Sequence, residues 1–400
     1  MDYEVIIAGG GPGGAALGAR LAQLDPRLAS RTLILDRARF PRIKPCGGGL
    51  TGHATEAMRA LGFSLDVPFT PSGSAVVKFG DHARRVELPR PVNVIRREEL
   101  DASLLEQARA RGVEVRQGEG MSDFRVEDGG VTVTTARGRL RARVLAGADG
   151  AGSLVRKRLR ARDPAPIRLF RAEIDAPPEW RGRDDMLYDF SPMRDGLRGY
   201  LWIFPVPGDR LNVGLMHSPV GKLSGAALVD MLARGLRAHG VELGAGARGW
   251  PAWGYAPSAP VAAPHLLTLG DAAGIDALTG EGIAVALEHA LVAGDAIVDG
   301  LGRGDLRFAA YRRALRRATV GRELALDRWL ARLLYRGPLW RTFLSLVLHD
   351  RDILELYAAR VAGGLILADQ KLRLCAALLR HLVRWPSRRI TAGADRGSPA

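Results

Sequence analysis

Only two cysteines, Cys46 and Cys375, occur in 400 residues, and they stand far apart. That excludes a disulfide framework, and eight histidines without ligand spacing exclude a metal site. Long apolar runs are also missing. The longest stretch without Asp, Glu, Lys or Arg, from Gly249 to Gly270, carries Pro251, Pro257, Pro260 and Pro264, which spoil it as a membrane span. No signal peptide is expected, because Asp2 and Glu4 lead straight into the apolar Val5-Ile6-Ile7-Ala8. With so few cysteines a reducing cytoplasmic setting is expected, and internal repeats and long low-complexity tracts are absent.

What is present suits one large enzyme core or two to three packed domains: 47% apolar and 25% charged residues. The net charge of +15 is unevenly placed, with 19 Lys or Arg against 7 Asp or Glu between residues 303 and 389. No nucleic-acid recognition module accompanies that charge, and its arginines alternate with Leu, Trp and Ala at helical spacing, so no nucleic-acid partner is expected. Two readings stay open: a solvated basic face, or a face lying peripherally on anionic lipid at the inner side of a membrane.

The stretch YEVIIAGGGPGGAALGARLA reads as a strand, a glycine turn and an Ala-rich helix. Gly9, Gly11 and Gly14, with Gly13 between, match G-x-G-x-x-G, whose bare backbone approaches a pyrophosphate held at the helix N-terminus. A second strand, RTLILD, ends at Asp36, 22 residues after Gly14, where a carboxylate holds an adenosine ribose. Up to here NAD and FAD are both open. The stretches VLAGADGAGSLVRKRL, around Asp149, and LLTLGDAAGIDALTGEGIAVALEHA, around Asp271, each end a strand at the same sheet. A unit that held only NAD needs neither. RREELDASLLEQA adds Arg97 and Asp101, which alone would read equally well as helix capping and surface charge.

Together these four stretches resemble the FAD-binding fold of flavoprotein hydroxylases. The resemblance implies that Gly9, Gly11, Gly13 and Gly14 hold the pyrophosphate, that Asp36 beside Arg37 holds the ribose, and that Arg97, Asp149 and Asp271 line the rest of the FAD. No second glycine loop opens a nicotinamide domain, so NAD(P)H or a small electron carrier would act transiently as reductant. FPRIKPCGGGL, GYLWIFPVPGDRLNVGL and GDAAGIDALTGEGI then resemble the geranylgeranyl reductase family, flavoenzymes that saturate prenyl double bonds. That resemblance runs from residue 3 to about 300. It implies that Lys44, Gly47, Gly48, Gly49, Gly280 and Gly282 lie at the cofactor and that Cys46 faces the flavin, tuning proton delivery or only shaping the pocket. It further implies that Tyr200, Trp202 and Phe204 wall a tunnel for a prenyl-chain lipid or diphosphate; without it they are equally ordinary core aromatics. Arg42 and Lys44 are candidates for a phosphate or for solvated charge. The family's proline before Leu-Thr-Gly-Glu-Gly is Ala277 here, which predicts a looser loop at the flavin.

The expected architecture is α/β: a Rossmann-type FAD-binding domain with an inserted mixed β-sheet substrate domain and a C-terminal helical segment. The FAD domain is expected over 1–73, 96–164 and 265–304, with a three-stranded meander turning at Gly129-Gly130 and Gly138. The β-rich substrate domain takes 74–95 and 165–264. Residues 305–386 read as helices that cap the tunnel, pack a dimer or meet a membrane, and 387–400 as a flexible tail. The expected activity is FAD-dependent saturation of a prenyl chain. The alternatives are an aromatic monooxygenase or halogenase of the same fold, and a lipid-binding flavoprotein without turnover.

Overall fold

The computed structural model describes residues 1–159, 165–221, 223–244, 246–337 and 340–384. The expected tail at 387–400 lies outside the described residues, as do 160–164 at the end of one expected FAD-domain segment. Every residue of the strands Tyr3–Ala8 and Thr32–Asp36 is buried, as continuous apolar runs covered on both faces of a parallel sheet require. They join a sheet of order Ala262–Ala263, Leu266–Thr268, Gly138–Gly147, Tyr3–Ala8, Thr32–Asp36, Glu114–Gln117, parallel except for its first pair. The strands Met121–Glu127, Gly130–Thr135 and Gly138–Gly147 form an antiparallel meander on it. Register decides where the site falls. Ala8 pairs with Gly147 and Thr268 with Gly147, so the turns beginning at Gly9, Ala148 and Leu269 emerge side by side at the carboxyl edge of the sheet. Helix Ile283–Arg303 returns to pack on helix Pro12–Leu24 through small residues such as Ala15, Ala19, Ala290 and Ala293.

The second sheet runs Arg248–Ala252, Ile167–Asp175, Arg210–His217, Gly199–Val206, Asp185–Asp189, Phe69–Phe79, His82–Ile95, Gly49–Leu50. It is antiparallel except where Asp185–Asp189 meets Phe69–Phe79, hence mixed. Strand alternation sorts its two faces. Leu201, Ile203, Val213 and Leu215 meet helix Gly225–Arg237 through Leu228, Leu232 and Leu236. Tyr200, Trp202, Phe204 and Met216 point the other way, toward Leu326, Leu330, Leu334 and Leu356 of the C-terminal helices. Those helices, Thr319–Ala331 continued by the wider turn Arg332–Arg336 that carries Leu334, then Trp340–His349 and Arg351–Val361, roof the aromatic face.

Two edges of the units differ from the segments read in the sequence. The second sheet begins at Phe69, not at 74, and also captures Gly49–Leu50. Residues after 305 do not leave the first core at once: Leu306, Phe308, Tyr311 and Leu315 are buried in it, and the Tyr311 hydroxyl donates to the Thr268 carbonyl at 3.0 Å.

Candidate functional site

Three cavities lie in a row, each sharing wall residues with the next. The first, of about 600 Å³, is bounded by Gly9, Gly11 and Gly13, by Asp36 and Arg37, and by Asp149 and Asp271. Helix Pro12–Leu24 opens with Gly11 at its N-cap and no side chain capping it, so its first N–H groups remain available to an anion. Gly9, at φ +104°, packs so closely that a Cβ would sit 2.3 Å from the Ala148 carbonyl oxygen. Gly14 does not line the cavity. Its hydrogen faces the Gly9 carbonyl, and its role is to let the helix press against the turn. Asp36 accepts N–H bonds from Gly10 and Ala38 at 2.8 Å each, which fixes its carboxylate at the rim while leaving lone pairs for hydroxyl groups.

Asp149 and Asp271 are anchored differently. Asp149 Oδ2 accepts the Leu154 N–H at 2.8 Å, whereas Oδ1 is buried without a hydrogen-bond partner. Burial outweighs its hydrogen bonds, Ser153 first among them, and raises its pKa. A ligand hydroxyl would satisfy that orphaned oxygen. Asp271 pairs with Lys44 at 3.3 Å, and the Lys44 ammonium stands 4.6 Å over the Trp250 ring. The Gly270 N–H before Asp271 donates to His289 Nδ1 at 3.2 Å; burial pushes that imidazole down to about 3, keeping it neutral and able to accept. Sequence reading passed over His289, which sits on an otherwise apolar helix face.

The second cavity, about 140 Å³, shares Lys44, Arg97, Trp250, Asp271 and Gly282 with the first. Cys46, Gly47, Gly48, Gly49, Gly280 and all three aromatics Tyr200, Trp202 and Phe204 also line it. Gly48 requires glycine: φ is +83° and a Cβ would lie 2.2 Å from the Ile95 carbonyl oxygen. The Cys46 sulfur accepts the Gly48 N–H at 3.4 Å and lies against the Arg97 guanidinium, which Asp101 holds through two hydrogen bonds of 2.8 and 3.0 Å. Arg42 stands 3.4 Å from the same Asp101 carboxylate and stacks on Phe40 while lining the first cavity.

Asn212 ties this loop to the aromatic strand, a link the sequence reading missed. Its Nδ2 donates to the Cys46 carbonyl at 2.6 Å, and its Oδ1 accepts the Trp202 indole N–H at 3.1 Å. The loop at Ala277 is pinned, not loosened: the Asp276 carboxylate accepts N–H bonds from Leu278 at 2.6 Å and Thr279 at 2.8 Å. That substitutes for the rigidity a proline would give.

The third cavity is the largest at about 630 Å³ and almost wholly apolar. It meets the second at Met186, Tyr188, Tyr200, Thr279, Tyr357 and Val361, then runs under the C-terminal helices to exposed Arg316, Arg322, Trp329 and Lys371. Among the described residues no group of three or more metal-ligating side chains occurs, and no helix is long and apolar enough to cross a membrane.

Comparison with known proteins agrees with this geometry. Residues 2–189 match the FAD binding domain family. The chain is 28% identical over 400 residues to a menaquinone reductase of Mycolicibacterium smegmatis, covering 91% of this chain and 92% of that protein. A digeranylgeranylglycerophospholipid reductase 2 of Methanothermobacter thermautotrophicus is 29% identical, with coverage of 81% and 86%. The chain is an FAD-dependent oxidoreductase. Its fold is shared with a geranylgeranyl bacteriochlorophyll reductase-like protein of Thermoplasma acidophilum, at TM-score 0.72 and 19% identity over 96% of this chain and 97% of that one. It is shared as well with halogenase PltM in complex with phloroglucinol and FAD, at TM-score 0.68 and 18% identity over 96% and 86%. In this oxidoreductase the first two cavities fit an FAD: an uncapped helix start, glycines that leave room for a backbone-hugging pyrophosphate, and an orphaned carboxylate oxygen at Asp149.

Proposed function

We propose that this oxidoreductase saturates C=C bonds of a prenyl chain carried by a lipid, quinone, pigment or diphosphate. The observation that carries the reading is the junction of the second and third cavities. The place where Cys46 and the three glycines stand opens through Tyr188 and Tyr200 into an apolar chamber of about 630 Å³. Hydrocarbon suits such walls, and the volume falls within the roughly 300–1,000 Å³ of ligand pockets. The names of the two reductase relatives point the same way. When bound and reduced by NAD(P)H or a small electron carrier, FAD supplies hydride. The chain holds the cofactor through the glycine loop, Asp36, Arg97, Asp149 and Asp271, keeps water from the alkene with its aromatic strand, and places Cys46 at the flavin end.

The test is anaerobic. Reduced protein mixed with geranylgeranyl and polyprenyl compounds is expected to reoxidise its flavin while mass spectrometry shows two added hydrogens per double bond. Flavin that stays reduced until oxygen arrives, with an aromatic compound then gaining oxygen or halogen, would establish the monooxygenase or halogenase alternative. Binding of prenyl compounds without turnover would establish the non-catalytic one.

We further propose that the chamber mouth rests on anionic lipid. Trp329, Leu372 and Leu379 are 47%, 87% and 63% exposed, and Leu372 and Leu379 are seven residues apart on helix Lys371–Arg384, hence on one face. Lys371, Arg373, Arg316 and Arg322 are exposed around them. Flotation with phosphatidylglycerol vesicles is expected to carry the protein, and Leu372→Glu with Leu379→Glu to weaken it about tenfold or more, since each change replaces exposed apolar area that would enter the lipid with a charge of the lipid's own sign. Wild-type protein that does not float would remove the membrane from this reading, and equal flotation of the double variant would take Leu372 and Leu379 out of the contact.

A further inference from the structure

We propose that Glu281 is the acid of the flavin cavity, donating the proton that completes hydrogen addition to the substrate double bond, with His53 and Glu288 resupplying it. This rests on the reading of the protein as a C=C reductase. An isolated alkene has no carbonyl to take up negative charge, so hydride arriving at one carbon must be matched by a proton at the other. The cavity wall must hold a group that carries a proton at working pH and is free to give it up.

Most polar groups on that wall are committed. Asp271 is paired with Lys44. The Cys46 sulfur receives the Gly48 N–H and lies against Arg97, an arrangement of donors that suits an acceptor. The Tyr200 hydroxyl donates to the Thr279 carbonyl. Glu281 differs, for it lines the cavity and makes no ion pair among the described residues. Its Oε1 accepts the Thr51 hydroxyl, which leaves Oε2 to carry a proton. Gly280 and Gly282 on either side keep the backbone thin, and Asp276 fixes the turn by receiving the Leu278 and Thr279 N–H groups and donating its own N–H to the Glu281 carbonyl at 3.2 Å.

The surroundings favour a retained proton. Asp276 from the same turn, Glu288 from helix Ile283–Arg303, and Tyr188 from strand Asp185–Asp189 face Glu281 with acidic groups. His53 at the start of helix Gly52–Ala60, together with Arg360 of helix Arg351–Val361, faces it with positive or titratable groups. Arg360, however, is spent on helix Thr319–Ala331, with Asp327 held by two bonds of 2.6 Å and Glu323 at 2.8 Å. Burial, the largest influence, raises the Glu281 pKa against the opposing pull of Arg360, Thr51 and His53.

A path for replacement protons lies behind it. His53 also lines the cavity, its Nε2 is buried without a partner, and its Nδ1 lies 3.9 Å from Glu288 Oε1. Glu288 reaches the outside with 21% exposure, and burial with the nearby Glu281 and Glu323 pushes its pKa up to about 8. It therefore takes up protons from water at neutral pH. In the step itself the Glu281 O–H bond breaks as a C–H bond forms, with the O–H electron pair left on the carboxylate. Reduced flavin supplies the hydride and its electron pair, and so ends oxidised.

The experiment compares FAD-loaded wild type, Glu281→Gln and Glu281→Asp. Infrared difference spectra between neutral and high pH, in H2O and D2O, are expected to show a protonated carboxyl band that Glu281→Gln lacks and Glu281→Asp keeps, displaced. Stopped-flow reoxidation of the reduced flavin by a geranylgeranyl compound is expected to slow about 100-fold or more in Glu281→Gln. The wild-type rate should decline as pH rises, because the deprotonated acid is inactive, and Glu281→Gln should lose that decline. Glu281→Asp should keep it with a smaller loss of rate. An unchanged rate and pH profile in Glu281→Gln, beside normal wild-type turnover, would overturn the proposal alone. Wild-type protein that binds FAD but passes hydrogen to no prenyl alkene would overturn the reductase reading, and the acid role with it.

Discussion

Gly14→Ala is expected to strip the protein of FAD, weakening binding at least 100-fold, or about 2.7 kcal/mol. The added Cβ would stand 1.8 Å from the Gly9 carbonyl oxygen and 3.0 Å from its carbon. Neither side can yield cheaply. Gly9 is itself wedged against the Ala148 backbone, and helix Pro12–Leu24 is fixed by its packing on helix Ile283–Arg303. The clash therefore tilts the helix start away from the turn and disperses the N–H groups that meet the pyrophosphate. Gly13→Ala is the control, although it is the neighbour that lines the cavity. Its Cβ would meet Ala286 and Leu269 at 3.6 Å, ordinary contact, so FAD affinity should stay within about threefold. Titration of apoprotein with FAD by flavin fluorescence reads both variants. The reverse order of effects would mean that the glycines act through space for the ligand and not through helix-to-turn packing.

That pair also shows which parts of the site were legible in the sequence. The glycine loop, Asp36, and the Gly-Asp turns are local: each needs a particular backbone shape at the end of a buried strand, and the residue types that allow such a shape are few. The same holds for Gly48, whose left-handed φ and approach to Ile95 only glycine permits. The alternation of Tyr200, Trp202 and Phe204 was readable because period two assigns all three to one face. What was not readable depends on pairings across long sequence distances. Asn212 matters through the register that sets it opposite Phe204 and near Cys46, and nothing in LNVGL announces this. Thr51 and Glu281 lie 230 residues apart, and each alone reads as a helix cap or a loop carboxylate. Arg360 resembled one more charge on a basic helix, yet it is buried at 6% exposure. The strand of the second sheet starts at Phe69, ahead of the apolar run SAVVKF, because Phe69, Thr70, Pro71 and Ser72 join it by backbone pairing with Ile95, Val94, Asn93 and Val92, which their residue types do not announce.

Arg360→Met is expected to destabilise the C-terminal roof by about 3–5 kcal/mol, with most of the loss appearing above neutral pH. Burial alone would lower the Arg360 pKa, but the Asp327 carboxylate overrides it and the guanidinium stays charged. Removing the cation leaves Asp327, fully buried, and Glu323, 8% exposed at its side chain, facing each other with no counter-charge. Carboxylates in that position keep their protons in the folded state, while in the unfolded chain they ionise near pH 4. Between those two pKa values the folded variant binds more protons than the unfolded one, so its stability falls as pH rises. The wild type carries a weaker form of that slope, because burial raises Asp327 to about 8 even against the pull of Arg360. Urea midpoints at pH 5 and pH 8 should thus separate wild type from variant far more at pH 8. Adding Asp327→Leu and Glu323→Leu removes the stranded charges and is expected to recover most of the loss, since apolar replacement of a buried ion group is often neutral. A pH-independent deficit that the triple variant does not relieve would locate the contribution of Arg360 in packing instead of charge. Because Arg360 also lines the flavin cavity, the same variants show whether roof and cavity respond together. Loss of the ion pairs should free helix Arg351–Val361 from helix Thr319–Ala331 and open the apolar chamber beside Tyr357.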